Sequence, residues 1–449
     1  MKKILTAFIL MMFIKANAQQ HNFSDDYVVP EDQLVQQKLS HWQDIKFGLL
    51  MHWGTYSEWG IVESWSICPE DEGWTQRRGP YAANYFGYVK AYENLQTTFN
   101  PTKFDPGKWA AAAKDAGMKY VVFTTKHHDG FCMFDTKQTD YKITSAKTPF
   151  STNAKANVAK EVFDAFRKDG FMIGAYFSKP DWHCPYYWWP YFPPKDRNVN
   201  YDPKKYPERW NDFKNYTYNQ IQELMTGYGS MDILWLDGGW VRPKSTVDTS
   251  VEWQRTITYD QDIGMAGIAK MARTNQPGLL VVDRTVSGEF ENYVTPEQTI
   301  PAAPLLHPWE SCITMGNSWS YVPNDHYKST NELVHMLLKI TSRGGNFLLN
   351  IGPSPEGDWS DSNIVYLQSK DKKDIYVYVL SNKTNEVILP TSITLKQIVL
   401  NKKSKIVLLD ATKEKLKWKP SNDGIIIQVP SKLKNKAAGN YAVAFKITE

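Results

Sequence analysis

Apolar positions along this chain come in short runs separated by amphipathic stretches of helical period. Residues 33–45 read as a helix and lead into the apolar run 46–54, which carries His52 near its end. A second helix over 106–117, with Asp105 as its N-cap and Gly117 as its stop, precedes the strand 120–125. The unit then recurs: helix 158–168 and strand 172–177, helix 207–228 and strand 231–237, helix 262–274 and strand 279–284, helix 331–342 and strand 346–351. Strands alternating with helices predict a parallel sheet, and this many units in series favour a closed (β/α) barrel over an open sheet. Past Trp359 the pattern changes to short runs at 374–380, 392–400, 406–409, 425–429 and 441–445, parted by turn residues and without helical period. They predict a separate antiparallel β-sandwich. The expected division is a (β/α) barrel over 19–361 and a C-terminal β domain over 362–449.

Two connections in the barrel are long. Residues 55–87, rich in Trp, Gly and acidic side chains, have the length of a functional loop over the barrel mouth. Residues 182–194, dense in Pro and aromatics, read either as a rigid loop packed on the rim or as a platform for the leaving group of a substrate.

The N-terminus follows a different pattern. Lys2 and Lys3 precede an apolar run from Ile4 to Ile14, and Ala16 and Ala18 precede Gln19, which are the parts of a secretory signal peptide spanning 1–18. The run is too short to span a membrane, and no later apolar run reaches the ~20 residues that would. The mature chain is therefore expected to be secreted or periplasmic, with no membrane insertion. Loss of Lys2, Lys3 and Lys15 lowers the 52 basic residues to 49 against 48 acidic ones. With no basic block and no basic amphipathic helix, nucleic acid and anionic membrane are not expected partners. Cys68, Cys132, Cys184 and Cys312 are widely spaced without a C-x-x-C, so neither a zinc ribbon nor a disulfide scaffold is indicated.

The strand ends carry the candidate chemistry. In 231–240 a buried parallel strand stops at Asp237 before Gly238 and Gly239. A carboxylate there is either catalytic, as at the C-terminal rim of a barrel, or a cap for the next loop. The other strand ends supply His52, His127, His128, Tyr176, Trp235 and Arg284, all on what would be one face of the barrel. Convergence of this kind reads as an active site. Adjacent His127 and His128 project in divergent directions, and neither H-x-H nor H-E-x-x-H occurs, so no catalytic metal is expected. Nor is there a G-x-S-x-G elbow for a nucleophilic serine. Mixed donors and acceptors beside several aromatic rings suit a sugar, and glycoside hydrolysis needs two carboxylates.

The motifs His52-Trp-Gly54, Lys126-His-His-Asp-Gly-Phe131, Trp235-Leu-Asp-Gly238, Asp283-Arg284 and the run from Gly344 to Pro353 resemble the α-L-fucosidases of glycoside hydrolase family 29, over roughly residues 33–361. The resemblance implies a retaining exo-glycosidase without a cofactor that releases terminal α-L-fucose from fucosylated oligosaccharides or glycoconjugates. It makes Asp237 the nucleophile and places His52, His127 and His128 on the sugar hydroxyls. Trp65, Tyr176, Trp235, Arg284 and Trp319 complete the pocket. For the acid/base, Glu289, Glu291 and Glu297 are available, and the resemblance favours Glu297, whose spacing from Arg284 is the most similar to the family pattern. The competing classes are a catalytically silent fucose-binding protein and an exo-glycosidase for a galacto-configured sugar. Two departures from the family pattern are visible. Glu63-Ser-Trp65 puts Ser64 where relatives often carry the Glu of a Glu-Trp pair, and the family's final barrel helix is missing after Asp361.

Overall fold

Seven parallel strands form one curled sheet in the computed structural model, which describes residues 27–69, 75–323 and 325–358 and, between 374 and 448, the strands and a few adjoining residues. The strands are β1 (Phe47–Met51), β2 (Tyr120–Lys126), β3 (Met172–Ser178), β4 (Ile233–Asp237), β5 (Leu280–Asp283), β6 (Glu310–Thr314) and β7 (Asn346–Ile351), in the order β5-β4-β3-β2-β1-β7-β6. All their residues are buried, because both faces of the sheet are covered. Alternate positions such as Leu50, Val122, Tyr176, Trp235, Val282 and Leu348 fill the interior. Their neighbours Leu49, Val121, Phe177, Leu234, Val281 and Leu349 pack outward against the helices.

The helices are α1 (Gln33–Ile45), the short α2 (Tyr56–Trp59), α3 (Tyr85–Glu93), α4 (Pro106–Asp115), α5 (Val158–Lys168), α6 (Pro207–Gly227), α7 (Met265–Asn275) and α8 (Thr330–Ser342). Asp105 caps α4 through Gly107 N and Lys108 N, as its position in the sequence predicts. The first helix differs from the rest, since Val35, Leu39 and Trp42 join the interior cluster. Trp42 stacks on Tyr293 at 3.9 Å, and its carbonyl accepts from Asn346 Nδ2 at the start of β7. Helix α1 therefore stoppers the N-terminal end of the barrel and leaves the opposite end open for chemistry.

The expected barrel is present with one local difference. β5 and β6 are the two edges of the sheet, and among the described residues no eighth strand joins them. The gap is spanned by an irregular segment, 290–298, whose backbone bonds to β5 through Asn292 N–Val281 O and to β6 through Cys312 N–Pro296 O and Gln298 N–Cys312 O. Left-handed backbone at Thr285 (φ 64°) and Gln298 (φ 52°) brackets this stretch. β6 itself is not among the strands that the apolar pattern predicts, because Glu310, Ser311 and Thr314 interrupt it. After β7 the residues to 358 form turns. The place where a last helix would follow lies outside the described residues.

In the C-terminal part, β8 (Asp374–Leu380), β10 (Lys405–Leu408), β11 (Lys415–Leu416) and β14 (Ala442–Thr448) form one antiparallel sheet in the order β11-β10-β14-β8. A second antiparallel sheet is made of β12 (Trp418–Ser421), β13 (Gly424–Gln428) and β9 (Ser392–Lys396). Ile406, Leu408, Phe445 and Ile447 of the first sheet share a core with Ile425 and Ile427 of the second, as expected of a sandwich. All four cysteines are buried free thiols.

Candidate active site

The C-terminal ends of the strands surround a narrow pocket lined by Leu50, His52, Glu63, Trp65, His127, His128, Tyr176, Trp235, Asp237, Arg284, Glu297 and Trp319. Each element contributes in turn. His52 follows β1, His127 and His128 follow β2, Tyr176 lies on β3, Trp235 and Asp237 on β4, and Arg284 follows β5. Parallel register sets Tyr176 beside Trp235 and Ser178 beside Asp237, and the rings of Tyr176 and Trp235 stack at 5.3 Å. Trp319 arrives from the loop after β6 and is fixed by Asn350 of β7, whose Nδ2 donates to its carbonyl while its Oδ1 lies 2.7 Å from His52 Nδ1.

Asp237 is the electrostatic centre. Its Oδ1 accepts from Arg284 Nη1 at 3.1 Å, its Oδ2 accepts from the Tyr176 hydroxyl at 2.7 Å, and His128 Nε2 lies 3.7 Å away. Burial alone raises a carboxyl pKa, but Arg284, His128, the Tyr176 hydroxyl and the Gly238 N–H together hold this one below the usual carboxylate range. The imidazoles move the other way. Burial pushes His52 down to about 4 and His128 to about 3, and it lowers His127 as well, with the neighbouring histidines adding to the effect. All three are neutral rings that can both donate and accept, while Asp237 is ionised.

Two glycines after Asp237 admit the chain itself. A Cβ on Gly238, whose φ is 87°, would sit 2.2 Å from Pro180 Cδ. One on Gly239 would overlap Thr285 Oγ1 at 1.3 Å and reach Arg284 O at 3.0 Å. The turn is therefore stripped of side chains so that Arg284 can reach Asp237. Behind it, the buried ion pair of Lys179 with Asp283 ties β3 to β5.

Of the three glutamates after Arg284, the structure brings only Glu297 to the pocket. Its carboxylate pairs with Arg284 Nη2, so one guanidinium spans Asp237 and Glu297. Glu291 is buried outside the pocket, where desolvation and the charge of Asp283 raise it to about 8, and Glu289 is exposed.

Glu63 lines the pocket although the sequence pattern puts Ser64 in the place of the family's glutamate. A left-handed backbone at Glu63, φ 27°, absorbs the one-residue offset. Ser64 Oγ then meets His127 Nδ1 at 2.6 Å, and Glu63 Oε1 accepts from Ser320 N at 3.2 Å. Burial raises the Glu63 carboxyl to about 8, with the charge of Asp237 adding to it, and its Oε2 is buried without a partner among the described residues. Trp65 meets the edge of His128 at 5.3 Å and is backed by Trp182, Trp240 and the Arg197 guanidinium. The aromatic stretch at 182–194 supplies this backing: Trp182, Tyr187 and Trp188 are buried and donate to the carbonyls of Arg197 and Asn198, while Tyr191 stands 74% exposed.

His127, His128 and Asp237 place possible ligand atoms within 4.8 Å of one another, a set that a transition metal could use. Both oxygens of Asp237 are already taken by Arg284 and Tyr176, and the guanidinium charge opposes a cation there.

Residues 14–370 match the sequence profile described as Alpha-L-fucosidase, and residues 357–448 match that of the Alpha-L-fucosidase C-terminal domain. The chain belongs to the α-L-fucosidase family. An α-L-fucosidase of Dictyostelium discoideum is 26% identical over 378 residues, which cover 80% of this chain and 73% of that one. The tissue α-L-fucosidase of Rattus norvegicus is 27% identical over 373 residues, covering 78% and 71%. Among solved structures, α-L-fucosidase isoenzyme 1 of Paenibacillus thiaminolyticus superposes with a TM-score of 0.66 at 26% identity, over 93% of this chain and 99% of that one. Membership in the α-L-fucosidase family thus spans both the barrel and the β domain.

Proposed function

We infer that this protein is a retaining exo-α-L-fucosidase acting by double displacement, and that the pairing of Asp237 and Glu297 on the two arms of Arg284 carries the reading. A carboxylate held ionised below the usual range is a nucleophile ready at neutral pH, and a shared guanidinium favours the close spacing of a retaining pair, about 5–5.5 Å, over the wider gap that admits a water. In the first step Asp237 bonds to the anomeric carbon of fucose as Glu297 gives its proton to the departing glycosidic oxygen. In the second, Glu297 takes a proton from water, the water oxygen bonds to the same carbon, and Asp237 leaves. Neutral His52, His127 and His128 hold sugar hydroxyls, and Trp65, Tyr176, Trp235 and Trp319 offer rings to the apolar face and the C6 methyl. Glu63, protonated at neutral pH, adds a donor.

The substrate class is a terminal α-L-fucosyl group on an oligosaccharide or glycoconjugate. The 1–18 leader, outside the described residues, supports export to the periplasm or the medium, and no described helix is long and apolar enough to cross a membrane. Proton NMR of the first fucose released from an aryl α-L-fucoside tests the mechanism: the α anomer is expected first, and initial release of the β anomer overturns double displacement.

A further inference from the structure

The near-balanced charge of the whole chain conceals two segments of opposite sign. Residues 19–361 carry 33 basic and 41 acidic side chains, whereas 362–449 carry 16 lysines, no arginine and 7 acidic residues. Part of this excess is organised by the four-stranded C-terminal sheet. Ile406 and Leu408 of β10 and Phe445 and Ile447 of β14 face the core, so Lys405, Val407 and Lys446 belong to the opposite, outer face. Val407 pairs with Lys415 on one side and with Lys446 on the other. Lys405 precedes Val407 by two residues on the same face. Neighbouring strands lie about 4.8 Å apart, and residues two apart on a strand roughly 7 Å, so these lysines sit within about 10 Å of one another. That is close to the Debye length of about 8 Å at physiological ionic strength, and their fields overlap. Lys405 and Lys415 are exposed. Asp374, two strands from Lys405 across Thr448, is the acidic residue on the described part of this sheet.

We propose that this outer face is a non-catalytic attachment surface for an anionic polysaccharide, one bearing sulfate or carboxylate groups, which holds the enzyme on polymers that also carry its fucosyl substrate. That the partner is a glycan rests on the α-L-fucosidase reading; that it is anionic rests on the lysines alone. Ammonium groups on flexible stems, with no arginine fork beside them, suit a diffuse run of charges rather than bidentate recognition of single groups. Register places Tyr376 of β8 opposite Lys446 on this face, so ring positions are present; single-stranded nucleic acid would call for guanidinium groups beside them, and residues 362–449 contain no arginine. A membrane surface would call for apolar side chains that insert, and Leu409 is the exposed large apolar side chain described in this domain.

The test uses residues 19–449 with Lys405→Glu and Lys415→Glu combined, and the same two sites changed to Gln. Wild type should be retained on dextran sulfate and on polygalacturonate but not on neutral dextran, and retention should vanish as salt rises. Retention by one anionic polymer alone assigns the charge chemistry to sulfate or to carboxylate. The Glu variant should bind about tenfold more weakly and the Gln variant should fall between, with unchanged melting temperature and unchanged kcat/KM on an aryl fucoside. Equal retention of wild type and both variants, binding to neutral dextran as well, or binding to phosphatidylglycerol vesicles but not to either polymer would each overturn the proposal. Inactivity of wild type on aryl fucosides would instead count against the catalytic reading, since attachment is measured without turnover.

Discussion

The end of β4 and the segment from 284 to 298 each bring one carboxylate to Arg284, and they do so by opposite means. Asp237 is the last residue of a regular, fully buried strand, held by Arg284 and Tyr176 and followed by glycines with no room for a side chain. Glu297 lies on a stretch that spans the gap between β5 and β6, pinned to both by a few backbone bonds and bracketed by left-handed residues. One position is dictated by the barrel and the other by a path across its gap. A nucleophile must meet one carbon at one distance, whereas an acid/base must meet leaving groups of many shapes. The rigid and the irregular support match those two tasks.

The comparison is most open to challenge at Asp237. Asp237→Gly should lower turnover by ~10³-fold or more on every substrate, activated or not, because the anomeric carbon loses its covalent partner. Added azide should restore part of the rate, and near-normal turnover in the variant would remove Asp237 from the mechanism. Glu297→Ala should separate substrates instead. A phenolate leaves with little protonation, so bond cleavage in activated aryl fucosides should persist while oligosaccharide hydrolysis falls ~10²-fold. Glu291→Ala, on a side chain buried away from the pocket, should not reproduce that split; if it does and Glu297→Ala does not, the irregular segment presents the other glutamate.

Smaller effects probe the supports. Gly239→Ala forces a methyl against Thr285 and the Arg284 carbonyl, and overpacking of this kind costs about 1–3 kcal/mol. Because the displaced backbone carries Arg284, kcat/KM should also drop about tenfold; a loss of stability alone would show that Arg284 keeps its place by other means. Glu63→Gln is the mildest case. Burial lifts this carboxyl from an ordinary value near 4.5 to about 8, so the unfolded chain gives up the proton first. The stability linked to it is complete below about pH 4.5 and is lost as pH rises through about 8. The variant lacks that slope, and its melting temperature relative to wild type should climb by roughly 3 °C between pH 5 and pH 8. A constant offset across that range would mean that Glu63 titrates normally.

The same contrast explains what could be read from the amino acids. His52, the His127-His128 pair, Tyr176, Trp235, Asp237 and Arg284 sit on or just past apolar runs, and a parallel strand ends on one rim of a barrel, so their convergence follows from pattern alone. Trp65, Trp319 and Glu297 lie on loops that have no period, and only the family resemblance pointed to them. Glu63 was hidden, because a φ of 27° at a glutamate reverses which side chain faces inward and nothing in the residue order announces it. β6 escaped for a related reason: Glu310 is a core residue satisfied by the Tyr120 hydroxyl and Trp235 Nε1, which no hydrophobicity pattern can register. The role of α1 as a stopper was equally silent, since an amphipathic helix looks the same whether it covers a flank or an end.

The four buried thiols bear on how the protein can be handled at the bench. Burial raises the pKa of Cys132, Cys184 and Cys312, so they remain protonated and poorly nucleophilic. No cystine has to form for the fold to be reached. A chain expressed without residues 1–18 should therefore reach its native state in a reducing host compartment as readily as in an oxidising one. A single cysteine placed on an exposed loop would be the reactive thiol of the folded protein, and a maleimide dye or a solid support could be attached there without touching the pocket.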